Sequence, residues 1–147
     1  MRYEDWAAWR APNTMLDTDT VGHLINRSPG FENIKRRLSG RSPGEVRLSA
    51  ITLVEIRYGF AAGDVSTERK ETLEDFLDLF QIDDFPASAA NDYADIRVAL
   101  ERKGSKIGSY DLLIAAHARH IGSTIVTNNE REFRRVPGLS VQNWLKP

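Results

Sequence analysis

Apolar positions recur along this chain with two periods, and the alternation between them predicts the elements. Met15-Leu16 is a short apolar run followed by polar Asp17-Thr18-Asp19-Thr20, which reads as the end of a strand, a turn and a helix. Leu24 and Ile25 supply the apolar face of that helix, and Ser28-Pro29-Gly30 stops it. Phe31, Ile34 and Leu38 mark a second short helix, with Lys35, Arg36 and Arg37 on its exposed side. Gly40 to Glu45 reads as a loop, and Val46 to Ala50 alternates as a strand. Thr52 to Ala62 is predicted helical, with Leu53, Ile56 and Phe60 inward. After a break at Asp64 to Thr67, Leu73, Phe76, Leu77 and Phe80 follow the i, i+3, i+4, i+7 spacing of a helix face. Gln81 to Phe85 is a short strand ended by Pro86. Ser88 is placed to cap a helix with the stripe Ala89, Tyr93, Ile96 and Leu100, and Gly104 closes it.

The stretch from Ile107 to Phe133 organises the rest. A single acid, Asp111, heads the apolar run Leu112 to Ala116, with Ser109 as a plausible N-cap. A carboxylate in a first helical turn is favoured by the unpaired N–H groups and the helix dipole. The run behind it is apolar on nearly every face, which predicts a buried helix aiming one acid at a fixed place. Gly122 ends that helix, Thr124 to Val126 reads as a strand, and polar Thr127-Asn128-Asn129 follows. Val136-Pro137-Gly138 is a turn, and Leu139 to Trp144 supplies a last short strand at a sheet edge. Strands alternating with helices predict an α/β fold: a short parallel sheet flanked by helices on both sides.

Composition narrows the function classes. The chain has 147 residues, enough for one domain with a real core, and no cysteine, so thiolate metal sites, thiol nucleophiles and disulfides are excluded. No stretch is long and apolar enough to span a bilayer and no signal-peptide pattern is present, so the default compartment is the cytoplasm. The net charge of −1 is unevenly spread: residues 97–147 hold 9 Lys/Arg against 4 Asp/Glu, and residues 1–96 hold 11 against 17. The basic third, with Arg97, Arg102, Lys103, Lys106, Arg119, Arg131, Arg134 and Arg135, is either an ordinary solvated surface or a surface that meets phosphate. Residues 1–14, with Trp6 and Trp9, show no core period, whereas Met15 opens a more regular phrase. The domain is therefore set at residues 15–147. Residues 1–14 read as an extension ahead of the natural start, from gene-start choice or cloning, or as a short surface helix.

Three acids stand at junctions of apolar elements: Asp17 after the first strand, Glu55 one turn into the helix after the second, and Asp111 at the head of the buried helix. In a parallel sheet such junctions share one edge. Carboxylates brought together repel unless a cation compensates, and an all-oxygen set suits Mg²⁺ or Mn²⁺. Asn129 is placed to orient water or a ligand, and Glu132 to add a carboxylate or to remain a surface acid. His117 and His120 are three apart on a helix, but without H-E-x-x-H or cysteine they read as a packed core-edge histidine and an exposed one rather than as zinc ligands.

Five phrases together resemble the PIN-domain ribonucleases, and among them the VapC toxins of bacterial toxin–antitoxin pairs. They are Met15 to Thr20, Leu48 to Gly59, Ile107 to His117, Ile125 to Phe133, and Val136 to Trp144. The resemblance implies a Mg²⁺-dependent endoribonuclease, with Mn²⁺ able to substitute, that hydrolyses RNA by metal-activated water. It implies that Asp17 and Asp111 are the principal metal ligands and that Glu55 is the third acid, binding directly or through water. Asn129 stands where many PIN domains have a fourth acid, and Thr127 where they have a hydroxyl near the site. Asp19 stands where Asn is frequent and is read as holding the turn as an Asx motif. A homodimer bound by a small cognate antitoxin is implied as well. Two rivals stay open on the residues alone. Asp17-Thr18-Asp19 supplies the two acids of the D-x-D-x-T pattern of haloacid-dehalogenase-type phosphatases, with Val21 at its last position and Asp17 as nucleophile. A non-catalytic binding module, its acids meeting basic partners, is the other.

Overall fold

β1 (Thr14–Leu16), β2 (Val46–Ser49), β3 (Gln81–Asp83), β4 (Thr124–Val126) and β5 (Val141–Gln142) form one all-parallel sheet in the order β3-β2-β1-β4-β5. The structure is a computed structural model and describes residues 13–147, so residues 1–12 of the extension lie outside the described residues. Thr14 already pairs with Val46 and Thr124, so the sheet begins one residue ahead of the Met15 boundary.

Period-two alternation in the central strands divides the core into two layers. Met15 and Ile125 point to one face, where Ile96 and Leu100 of α5 (Ala89–Arg102) and Ile114 and Ala115 of α6 (Ser109–His120) cover them. Leu16 and Val126 point to the other face. There they meet Val21 of α1 (Thr18–Asn26), Ile34 of α2 (Phe31–Ser39), Ile56 of α3 (Ala50–Ala62), and Leu73 and Leu77 of α4 (Thr67–Leu77). A short α7 (Glu130–Phe133) returns the chain toward β5 and buries Phe133. Strands covered on both faces read as continuous apolar runs, as Thr14–Leu16 and Thr124–Val126 do. Each fully buried Leu or Ile contributes roughly 1.5–3 kcal/mol, so the ten-residue cluster around Leu16 anchors α1 to α4 firmly.

The chain runs outward from β1 to β3 and then returns to the other side of β1 as β4. The strand order therefore reverses between β1 and β4, and their carboxyl ends open a crevice there. Gly122, at φ 70, makes the left-handed turn that ends α6 and feeds β4.

Local details depart from the periodic reading. The N-cap of α6 is Gly108, with ψ 148, and Ser109 is its first helical residue with no capping bond. Either residue type suits a cap, and this frame puts Asp111 third in the helix. A Cβ on Gly108 would lie 3.6 Å from Asp111 Oδ2, so the carboxylate folds back over the helix start. Ser88 occupies the cap position of α5 without capping, because its hydroxyl lies 2.8 Å from His120 Nε2. Ala50 belongs to α3, since Ser49 Oγ accepts from Ile51 N at 3.1 Å and turns the chain into the helix. The Gly40 to Glu45 loop contains a 3-10 turn, Pro43–Glu45. β3 stops at Asp83, and β5 shrinks to two residues. Among the described residues no helix is long and apolar enough to cross a membrane.

Candidate active site

Asp17 follows the last residue of β1 and caps α1, a position that forces its side chain into the crevice. It is buried, and both of its carboxylate oxygens are engaged: Thr20 N donates to Oδ1 at 2.8 Å and the Thr127 hydroxyl to Oδ2 at 2.5 Å. Asp17 N in turn donates to Val126 O at 3.0 Å, which carries the β1–β4 pairing one step past the strand. Thr127 is equally buried; its N–H donates to Gln142 O, and its oxygen accepts from Asn129 N at 2.9 Å. The hydroxyl residue is thus the bracket that joins Asp17 to the end of β4.

Asp111 reaches the same crevice from the start of α6. A cleft of about 440 Å³ is lined by Asp17, Asp19, Asp111, Asn128 and Asn129. Burial pushes the Asp17 carboxyl up to about 6, against the hydrogen bonds from Thr127 and Thr20, and the Asp19 charge adds to the rise. Asp111 is pushed up to about 7, first by burial, then by the charges of Asp17 and Glu132, by its hydrogen bond to Glu132, and by the charge of Glu55. Neighbouring carboxylate charge therefore bears on Asp17 from Asp19 and on Asp111 from Asp17, Glu132 and Glu55.

Glu132 is the acid that the motif-based set leaves out. The single turn of α7 swings it back beside Asp111, and the Asn129 side-chain amide donates to its Oε2 at 2.7 Å. The sequence leaves Glu132 open between a further carboxylate and a surface acid. Glu55 approaches from α3, where the Thr18 hydroxyl donates to its Oε1 at 2.5 Å, but it does not line the cleft itself. Asp19 does not hold the turn. It is the second residue of α1, Asp17 makes the capping bond, and the Asp19 carboxylate stands at the cleft wall 3.7 Å from His23 Nδ1.

The two histidines take separate partners. His117 is fully buried with Nδ1 2.7 Å from Ser49 Oγ, whereas His120 Nδ1 lies 2.8 Å from Asp92 Oδ2 on the surface. A larger apolar recess of about 510 Å³ beside Leu24, Phe31, Leu38, Phe76 and Phe80 has no carboxylate in its lining, so acid chemistry belongs to the smaller cleft. In the haloacid-dehalogenase reading Asp17 needs a free oxygen for attack; here both are hydrogen-bonded and the residue is 1% exposed.

Among the described residues no three acidic or histidine side chains converge as they stand on one coordination point. The donor set nevertheless fits a hard divalent ion. It is all oxygen and partly desolvated, and the carboxyls of Asp17 and Asp111 are raised by burial and by neighbouring acid charge that a cation would offset.

Comparisons with known proteins identify the family of this fold. The PIN domain family pattern matches residues 14–139. The chain is 37% identical over 134 residues to "Ribonuclease VapC2" of Rickettsia felis, a match spanning 90% of this chain and 98% of that protein. It is 38% identical over 131 residues to a "tRNA(fMet)-specific endonuclease VapC" of Salmonella typhimurium, spanning 88% and 96%. Among solved structures, DNA-bound VapBC from Salmonella typhimurium superposes with a TM-score of 0.83 at 35% identity, over 90% of this chain and 98% of that one. VapBC2 from Rickettsia felis, bound to a promoter DNA fragment, superposes with a TM-score of 0.78 at 35% identity, over 89% and 98%.

Proposed function

The chain belongs to the PIN-domain family, among its VapC ribonucleases, and from that premise we propose that it hydrolyses RNA phosphodiester bonds with Mg²⁺ held in the acidic cleft. It is the nuclease partner of a VapBC-type toxin–antitoxin pair, and a small cognate antitoxin is its protein partner. The observation that carries the metal reading is the placement of Asp17 and Asp111. They come from different elements to the point where the strand order reverses; burial raises both carboxyls, and the charge of Asp17 raises Asp111 further.

The chain's own residues have distinct tasks. Asp17 and Asp111 are the ligands we assign, with Glu55 as the third acid and Mn²⁺ as an alternative ion. Thr127 and the Thr20 amide hold Asp17 at one rotamer, so its oxygens need little reordering when an ion arrives. Asn129 holds Glu132 in place beside Asp111. When bound, the ion offsets the carboxylate charge, polarises the phosphate and lowers the pKa of water. No side chain is asked to form a covalent bond to phosphorus. The exposed Val54 and Tyr58 of α3 offer apolar surface to a second copy, consistent with a homodimer.

The test is cleavage of total cellular RNA by the purified chain with Mg²⁺ or Mn²⁺, beside Asp17→Ala and Asp111→Ala variants checked for folding. Discrete fragments are expected from the native chain, lost with chelator, and slowed at least about a hundredfold in either variant. Cleavage that survives in both folded variants rules out this site. Absence of cleavage by folded, antitoxin-free protein over a full set of cellular RNAs rules out the activity.

A further inference from the structure

In the phrase Asp17-Thr18-Asp19-Thr20, three residues already have a task. Asp17 and Asp19 line the cleft, and the Thr20 hydroxyl donates to Val126 O at 3.1 Å. Thr18 opens α1 and is half-buried between the first strand end and α3. Its Oγ1 lies 2.5 Å from Glu55 Oε1 and 3.4 Å from Thr52 Oγ1. A hydroxyl has one proton, and the shorter contact to the charged oxygen takes it. The hydroxyl oxygen of buried Thr52 lies farther off, at 3.4 Å, and is the weaker of the two acceptors open to Thr18.

Glu55 depends on that bond. Among the described residues it has no salt bridge, and it sits on a half-exposed helix face outside the cleft lining. A glutamate has several freely turning bonds, and without a partner its carboxylate spreads over many rotamers in water. Yet its charge is felt at Asp111.

We infer that Thr18 is a positioning residue whose hydroxyl holds the Glu55 carboxylate at the edge of the Asp17–Asp111 cleft, so that the third acid is preplaced for a divalent ion. This rests on the reading of Glu55 as the third acid of a metal-dependent nuclease. The bond spans α1 and α3, which the chain separates by 37 residues, so it also ties the loop that presents Asp17 to the helix that presents Glu55. A purely structural role at the start of α1 would demand the shape of the side chain more than its proton.

The experiment is Mn²⁺ binding to the full, antitoxin-free chain, followed by electron paramagnetic resonance of the free ion, with thermal melting in chelator as the control. Thr18→Val, close in shape but without the donor, is expected to raise the Mn²⁺ dissociation constant about tenfold, the low end of what losing such a supporting hydrogen bond costs. Thr18→Ser keeps the hydroxyl and is expected to stay within about twofold of the native chain. In a Glu55→Gln background the Val change is expected to add nothing further. Should the Val variant not fold, Thr18→Ala replaces it with the same expectations. Native-like Mn²⁺ affinity in the folded Val or Ala variant overturns the inference, as does an equal loss in the Glu55→Gln background. If the native chain itself binds no Mn²⁺, the metal reading of the cleft fails first and this inference falls with it.

Discussion

At Asp111, burial and the charges of three neighbouring acids act on a single carboxyl. Its carboxyl, pushed up to about 7, holds a proton in the folded chain that it would release at ordinary acidity in the unfolded one. The sign follows from that difference. Between about pH 4 and pH 7 the folded state binds more protons than the unfolded state, so raising pH through this window lowers stability. Above about pH 7 the full repulsion of Asp17, Glu132 and Glu55 remains. Asp111→Asn removes one charge from the set while keeping the shape. In chelator at pH 8 the variant is expected to be more stable than the native chain by roughly 1–2 kcal/mol, a value reduced for partial solvent screening. The gap should close toward pH 4. Denaturant melts at several pH values check this, and a gap that does not depend on pH between 5 and 8 is the contrary result. On the proposed metal role, the same change is expected to abolish RNA cleavage, a loss of function set against a gain in stability of the metal-free chain.

At the scale of elements, α5 and α6 are joined near their solvent-exposed ends by a clasp. Asp92 of α5 accepts from Arg119 Nε at 2.9 Å and lies 2.8 Å from His120 Nδ1, while Ser88 meets the other His120 nitrogen. Desolvation pushes the Asp92 carboxyl up, but the hydrogen bonds and charges of Arg119 and His120 outweigh it and hold it below the ordinary value. Its contribution is therefore present above the unfolded carboxylate range and is lost as pH falls through the lower folded value. Asp92→Ala is expected to cost about 1–2 kcal/mol at pH 7, lowering Tm by about 3–6 °C, with Mn²⁺ affinity unchanged. A fall in metal affinity would mean instead that the clasp sets the position of Asp111, at the far end of the same helix. His120 was expected to be exposed, which it is, but its two partners come from a helix far away in sequence.

Across the whole molecule, the basic C-terminal third does not act as one surface. Arg97 pairs with Glu101, Arg119 with Asp92, and Arg135 donates to Lys106 O. Arg131 and Arg134, on and after α7, carry no salt bridge among the described residues and flank Glu132 in sequence. These two are the better candidates for phosphate contact. Changing both to Gln is expected to raise KM for RNA with kcat nearly constant, and to flatten the slope of binding against salt by roughly one per residue. An unaltered salt slope in the double variant would remove them from the interface.

Local period and junction chemistry were legible along the chain by itself. The short apolar runs became β1 and β4, the nearly all-apolar run after Asp111 became the buried α6, and acids just past strand ends came to one sheet edge because parallel strands share that edge. Asp17 and Asp111 followed from these rules. Distances across elements did not, because they depend on how helices settle on the sheet. Only the folded chain brings Glu132 beside Asp111, since a one-turn helix has too little period to announce its face. Only packing of α1 on α3 joins Thr18 to Glu55, and only the parallel pairing of β1 and β4 puts the Thr127 hydroxyl within 2.5 Å of Asp17. Sequence chose the chemical groups by local rules; tertiary contacts chose which of them meet, because side-chain encounters are decided by burial of apolar faces far from the site.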